Sequence, residues 1–135
     1  MRNVLLTVAT VVGLAMGVVW GQVQQPEVGA IYLCNEVALR VRTAAGGLSL
    51  GDRREAIRLR IVRAYGRETV TASNIRLSRQ GGDWVIAVGA TTLVTVTEAD
   101  GRANGTTAEG LARVWAERLR ALLPRCAPQP LPRGP

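Results

Sequence analysis

From residue 31 onward the chain switches between two hydrophobic periods. In IYLCNEVALRV (31–41), Val37, Leu39 and Val41 alternate with Ala38 and Arg40, the period of a half-buried strand. AAGGLSLG breaks that pattern. Over 50–65 the period becomes helical: Ile57, Ile61, Ala64 and Tyr65 share one face. Ser49 precedes this segment and Asp52 follows three residues later, an approximate capping box, while Gly66 is placed to end the helix. Three more alternating runs follow, NIRLSR (74–79), WVIAV (84–88) and TLVTVT (92–97). Gly81-Gly82 and Gly89-Ala90 separate them, turns short enough to make the three strands an antiparallel meander. In the last run Val94 and Val96 point inward, the Thr residues outward, and Leu93 is out of step. ADGRANGT (99–106) reads as a loop. Thr106 and Glu109 form a Thr-x-x-Glu capping box for a second helix over 107–123. Its stripe is Leu111, Trp115, Leu119, Leu122 and Leu123, with Arg113, Glu117 and Arg120 opposite. The order β-α-β-β-β-α predicts an α+β two-layer sandwich, a mainly antiparallel sheet with two helices on one face.

The chain ends have a different character. After Met1-Arg2-Asn3 comes an apolar run from Val4 to Trp20, closed by Gly21. That is the layout of a secretory signal peptide over 1–21. Its length also meets the short limit of a spanning helix, so an uncleaved anchor is the alternative. Residues 22–30 read as a polar linker, 31–123 as a single domain, and 124–135, with five of the six Pro, as a Pro-rich tail. Either reading of the leader places the domain outside the cytoplasm, in the periplasm or beyond. Cys34 and Cys126 are the two cysteines, and an even count in an exported chain predicts a disulfide over two free thiols.

Composition narrows the chemistry. The formal charge is +7, and every one of the 17 basic residues is Arg. Arg53, Arg54, Arg58, Arg60, Arg63 and Arg67 crowd the first helix and form a candidate anion-binding face; the competing reading is an ordinary solvated helix surface. After loss of the leader only Tyr32, Tyr65, Trp84 and Trp115 remain as aromatics, too few for a stacking platform, and nucleic acid is not an expected partner. The absence of His removes Ser-His-Asp and Cys-His machinery and His-based zinc sites. No P-loop or Gly-x-Gly-x-x-Gly is present, and no cofactor is expected. VTVTEADG (94–101) sets Glu98 and Asp100 two residues apart. The pair reads as hydrolase carboxylates, as the start of a calcium loop, or as a structural corner. A calcium loop wants its Gly at position six, whereas Gly101 is fourth and Arg102 fifth. The corner is preferred, because short acids accept backbone hydrogen bonds in turns.

The stretches VRTAAGGLSLGDRREAI, VTVTEAD and VWAERLRALL together resemble the extracytoplasmic domain that precedes the membrane region in some bacterial small-conductance mechanosensitive channels. In that domain a strand ending in Arg-x-x-x-Gly leads into a capped helix. Later strands reach a Val-Thr-Asp-Ala-Asp-like corner before a last helix with a Trp-Ala or Tyr-Ala step. The resemblance spans roughly residues 36–123, with Leu50 and Gly51 where that family has Pro and Glu, and no channel region follows the second helix. It implies an exported, non-enzymatic interaction or sensor-like domain of the cell envelope, free of the channel, whose partner is a membrane or envelope protein. The alternative is weak peripheral binding to anionic lipid or envelope polymer through the Arg-rich helix. A third reading is a hydrolase using Glu98 and Asp100.

Overall fold

Residues 31–41, expected as one strand, form a hairpin. The computed structural model describes residues 28–127, and in it β1 (Ala30–Leu33) pairs antiparallel with β2 (Glu36–Arg40) around Cys34-Asn35. Both turn residues have positive φ, 49° and 63°, as a type I′ turn requires. Tyr32 opposes Val37 and Ile31 opposes Leu39, so Ala38 is an extra residue in β2. This bulge breaks the strict alternation expected there, and Ala38 and Leu39 are both buried. Gly29 and Ala30 are buried as well, so the end of the expected linker belongs to the domain. The expected leader or anchor (1–21), linker residues 22–27 and tail residues 128–135 lie outside the described residues.

Helix α1 (Leu50–Arg67) begins as expected. The Ser49 hydroxyl oxygen accepts from the Asp52 amide at 3.2 Å and its proton goes to Asp52 Oδ2 at 2.7 Å. A single 3₁₀ turn at Ala72–Asn74 leads to β3 (Ile75–Gln80), β4 (Asp83–Val88) and β5 (Thr91–Val96), the expected meander with two-residue turns. Ile86 opposes Val94 while Ala87 opposes Thr92, which leaves Leu93 as an unpaired bulge residue. That resolves its mismatch in the pattern: Leu93, Val94 and Val96 all turn inward and are buried.

The expected loop at 99–106 instead contains α2 (Glu98–Ala103), and the chain ends in α3 (Ala108–Leu122). The observed order is therefore β-β-α-β-β-β-α-α. The fold is α+β as expected, with two antiparallel sheets of two and three strands and three α-helices among the described residues. The inner faces of the meander, α1, α3 and the hairpin share one apolar core, with Ile57 and Ile61 from α1 and Leu111, Trp115, Leu119 and Leu122 from α3. The outer face of β3 shows Arg76, Ser78 and Gln80 to solvent. Cys34 and Cys126 form a disulfide, Cα to Cα 5.6 Å, which ties the hairpin turn to the end of α3. Residues 124–127 are thus part of the domain, not of a free tail.

Candidate functional site

The two carboxylates of VTVTEADG separate completely. Glu98 is exposed on the first turn of α2, whereas Asp100 is 0% exposed. Asp100 Oδ2 accepts from the Thr97 backbone N–H at 2.8 Å and from its hydroxyl at 3.0 Å, and Thr97 Oγ1 accepts from the Asp100 N–H at 3.2 Å. This is a complete capping box, and it is the local reason six residues with a central Gly form a helix. The rest of the Asp100 carboxylate meets Arg53. Nη1 donates to Oδ1 at 2.5 Å and Nη2 to Oδ2 at 2.7 Å, a two-pronged contact between residues 47 apart. Arg53 also donates to the carbonyls of Thr43 at 2.9 Å and Thr95 at 2.8 Å. One guanidinium thus joins the loop before α1, strand β5 and α2. Asp100 is fully buried and its carboxylate accepts four hydrogen bonds from Arg53 and Thr97, so it is not presented to a substrate water or a cation. Among the described residues no group of three or more Cys, Asp or Glu side chains is placed to hold a metal ion.

Arg53 corrects the expected anion-binding face: it is only 5% exposed and points into the core side of α1. The reason is helical phase, since Arg53 lies on the same stripe as Ile57, Ile61 and Ala64. Arg58 faces solvent but is engaged by Glu55, with Nε at 2.9 Å and Nη2 at 2.6 Å from the carboxylate. That hydrogen bond holds the Glu55 carboxyl below its usual value and the Arg58 guanidinium above its own. Arg54 is half-buried. Arg60, Arg63 and Arg67 remain together and line a recess of about 320 Å³ with Ala90, Thr91, Thr92 and Thr95. A neighbouring recess of about 190 Å³ shares Arg60 and Thr95 and is also lined by Asp83.

The second expected cap is displaced by one residue. Thr107, not Thr106, caps α3, its hydroxyl accepting from the Gly110 amide at 3.0 Å. Glu109 does not reach back to the cap; it pairs with Arg113 one turn on, at 2.6 Å. The cause is the tight packing of α2 on the start of α3. The Thr106 amide donates to the Gly101 carbonyl at 2.9 Å, and a Cβ on Gly101 would stand 2.5 Å from the Ala108 nitrogen. Thr106 is spent closing that corner.

A third recess, of about 690 Å³, opens between β2 and α3. Leu39, Leu111 and Trp115 form its floor, Val114 stands beside them 65% exposed, and Glu36 and Arg118 lie on its rim. Arg118 Nε donates to the Val37 carbonyl at 3.1 Å, and Glu36 pairs with Arg118 at 3.5 Å and with Arg125. Sequence periodicity places Leu111 and Trp115 in the core but gives no sign of this groove, because its other wall is the unrecognised second strand of the hairpin.

The fold and these surfaces define a small α+β domain closed by a disulfide between the β1–β2 turn and the segment that follows its last helix. The family described as Domain of unknown function (DUF8459) matches residues 30–125, and the chain belongs to that family. No curated protein and no solved structure matches it. The disulfide is the kind of cross-link that persists in an oxidising environment. Among the described residues no helix is long and apolar enough to cross a membrane.

Proposed function

We propose that this protein is a non-enzymatic, exported binding module of the bacterial cell envelope, receiving an extended segment of a membrane or envelope protein in the groove between β2 and α3. The observation that carries this reading is the groove itself. Among the described residues β2 pairs with β1 alone and no strand covers its other edge, and the adjoining face of α3 presents Val114 to solvent. An extended peptide can add main-chain hydrogen bonds to such an edge and lay alternate apolar side chains on the helix. Asp100, buried and held by Arg53 and Thr97, weighs against the hydrolase reading. The similarity to the channel-associated domain supports an envelope partner, and the disulfide supports export.

The test is site-specific photo-cross-linking in the native envelope, with the reactive side chain at Val114 and, as control, at exposed Leu59 on α1. One envelope protein captured from position 114 alone, and retained through a high-salt wash, is the expected result. Equal capture from both positions, or none from 114, would remove this reading.

A further inference from the structure

We infer that the recess between α1 and β5 is a binding site for a phosphate-bearing ligand carrying at least two negative charges, held by Arg60, Arg63 and Arg67. These three residues follow i, i+3, i+7 spacing, which sets their side chains in one row along the helix. That row faces β5, and the recess of about 320 Å³ between them is completed by Thr91, Thr92 and Thr95.

Arg53, Arg58, Arg113, Arg118, Arg120 and Arg125 each hold a carboxylate. Arg60, Arg63 and Arg67, like Arg54, Arg76, Arg79 and Arg102, make no ion pair with a carboxylate among the described residues, but these three line one recess together. Two acids lie nearby. Glu68 is turned to the end of the recess, where its Oε1 accepts from the Thr91 hydroxyl at 2.8 Å. Asp83 lines the adjoining recess that shares Arg60. Three like charges in one row repel one another unless an anion is shared between them. Guanidinium forks match phosphate oxygens two at a time, and phosphate brings more charge per group than a carboxylate. The hydroxyls of Thr92 and Thr95 supply donors from the strand side. Such a ligand is either a soluble phosphate compound or the headgroup of a phospholipid. Leu59 and Val62, 49% and 56% exposed on the outer side of the same helix, are the residues that would meet the acyl boundary in the second case.

This site lies on α1 and β5, which do not line the groove between β2 and α3, so the two readings stand or fall separately. The test titrates the full chain with tripolyphosphate at low salt, following amide and Arg side-chain NMR signals, and measures co-flotation with vesicles containing phosphatidylglycerol. Shifts should concentrate at Arg60, Arg63, Arg67 and the three Thr residues. Arg60→Gln, Arg63→Gln and Arg67→Gln should each weaken binding about fivefold or more, while Arg76→Gln, which removes the same charge from the outer face of the sheet, should not. Thermal melts confirm that each variant is folded. Binding of tripolyphosphate alone assigns a soluble ligand. Vesicle binding that needs the same arginines, and is weakened by Leu59→Ser and Val62→Ser while the tripolyphosphate titration is unchanged, assigns a headgroup. The inference is overturned if neither probe binds, if the triple Arg variant binds as the parent does, or if Arg76→Gln is as damaging as Arg63→Gln.

Discussion

Replacing Asp100 by Asn leaves the Arg53 guanidinium buried opposite a neutral group. Breaking one half of a buried pair costs on the order of 3 kcal/mol or more. The midpoint of urea unfolding for Asp100→Asn should fall accordingly, whereas Glu98→Gln, two residues away and exposed, should leave it where it was. Equal effects at both positions would mean the two carboxylates act together after all. Half of this arrangement was readable in advance. Thr97-x-x-Asp100 is a local capping pattern, and the acid's role at a corner follows from it. Arg53 was not readable, because six arginines share the helix and the one that turns inward meets a partner 47 residues away. Tyr65 is a second residue with a measurable signature. Its hydroxyl donates to the Leu123 carbonyl at 2.8 Å, and burial pushes the phenol above its ordinary value of 10.0. A raised value means the fold favours the protonated form. This contribution is therefore complete below pH 10 or so and is lost as pH rises through the folded-state value. Thermal melts between about pH 9 and pH 11 should show that loss, and Tyr65→Phe should remove it while costing about 1 kcal/mol at neutral pH.

At the scale of elements, one demanding contact is between the two last helices. Gly101 sits against the backbone of Thr106 to Ala108, and Gly101→Ala would force a methyl to within 2.5 Å of the Ala108 nitrogen. Neither helix can move away cheaply, since α2 is held by Arg53 and α3 by the core. The substitution should cost about 2 kcal/mol, read from the melting temperature, and weaken the Arg53–Asp100 contact with it. Long elements announced themselves: α1, α3 and the three meander strands each carry enough periodic residues to override local noise. Short ones did not. The six residues of α2 include Gly101 and Asp100, poor helix formers, so composition argues for a loop and only the cap argues otherwise. The Cys34-Asn35 turn was hidden for a different reason. Asn is a recognised turn residue, but a cysteine with positive φ is not, and Ile31 to Val41 stays apolar enough on either side to read as one continuous strand.

Across the whole molecule the disulfide closes a loop with a sequence separation of 92. In the chain-entropy description that is worth about 4 kcal/mol, and reduction should lower the melting temperature by roughly 20 °C. The oxidised protein should show no titratable thiol before unfolding in reductant. An unchanged melt after complete reduction would mean that the hairpin and α3 hold each other without it, through Glu36, Arg118 and Arg125. The pairing itself followed from cysteine count and the expectation of export; what the sequence concealed is that one partner sits at the tip of a turn. That position sets the route a stretching force takes. Tension applied between the two described ends passes from β1 into Cys34, crosses the sulfur bridge and leaves through Cys126. Strand β2, the meander and all three helices hang off that line as an unloaded loop. With the bridge intact only the few residues before Cys34 can be drawn out, while cutting it releases roughly 300 Å of hidden chain.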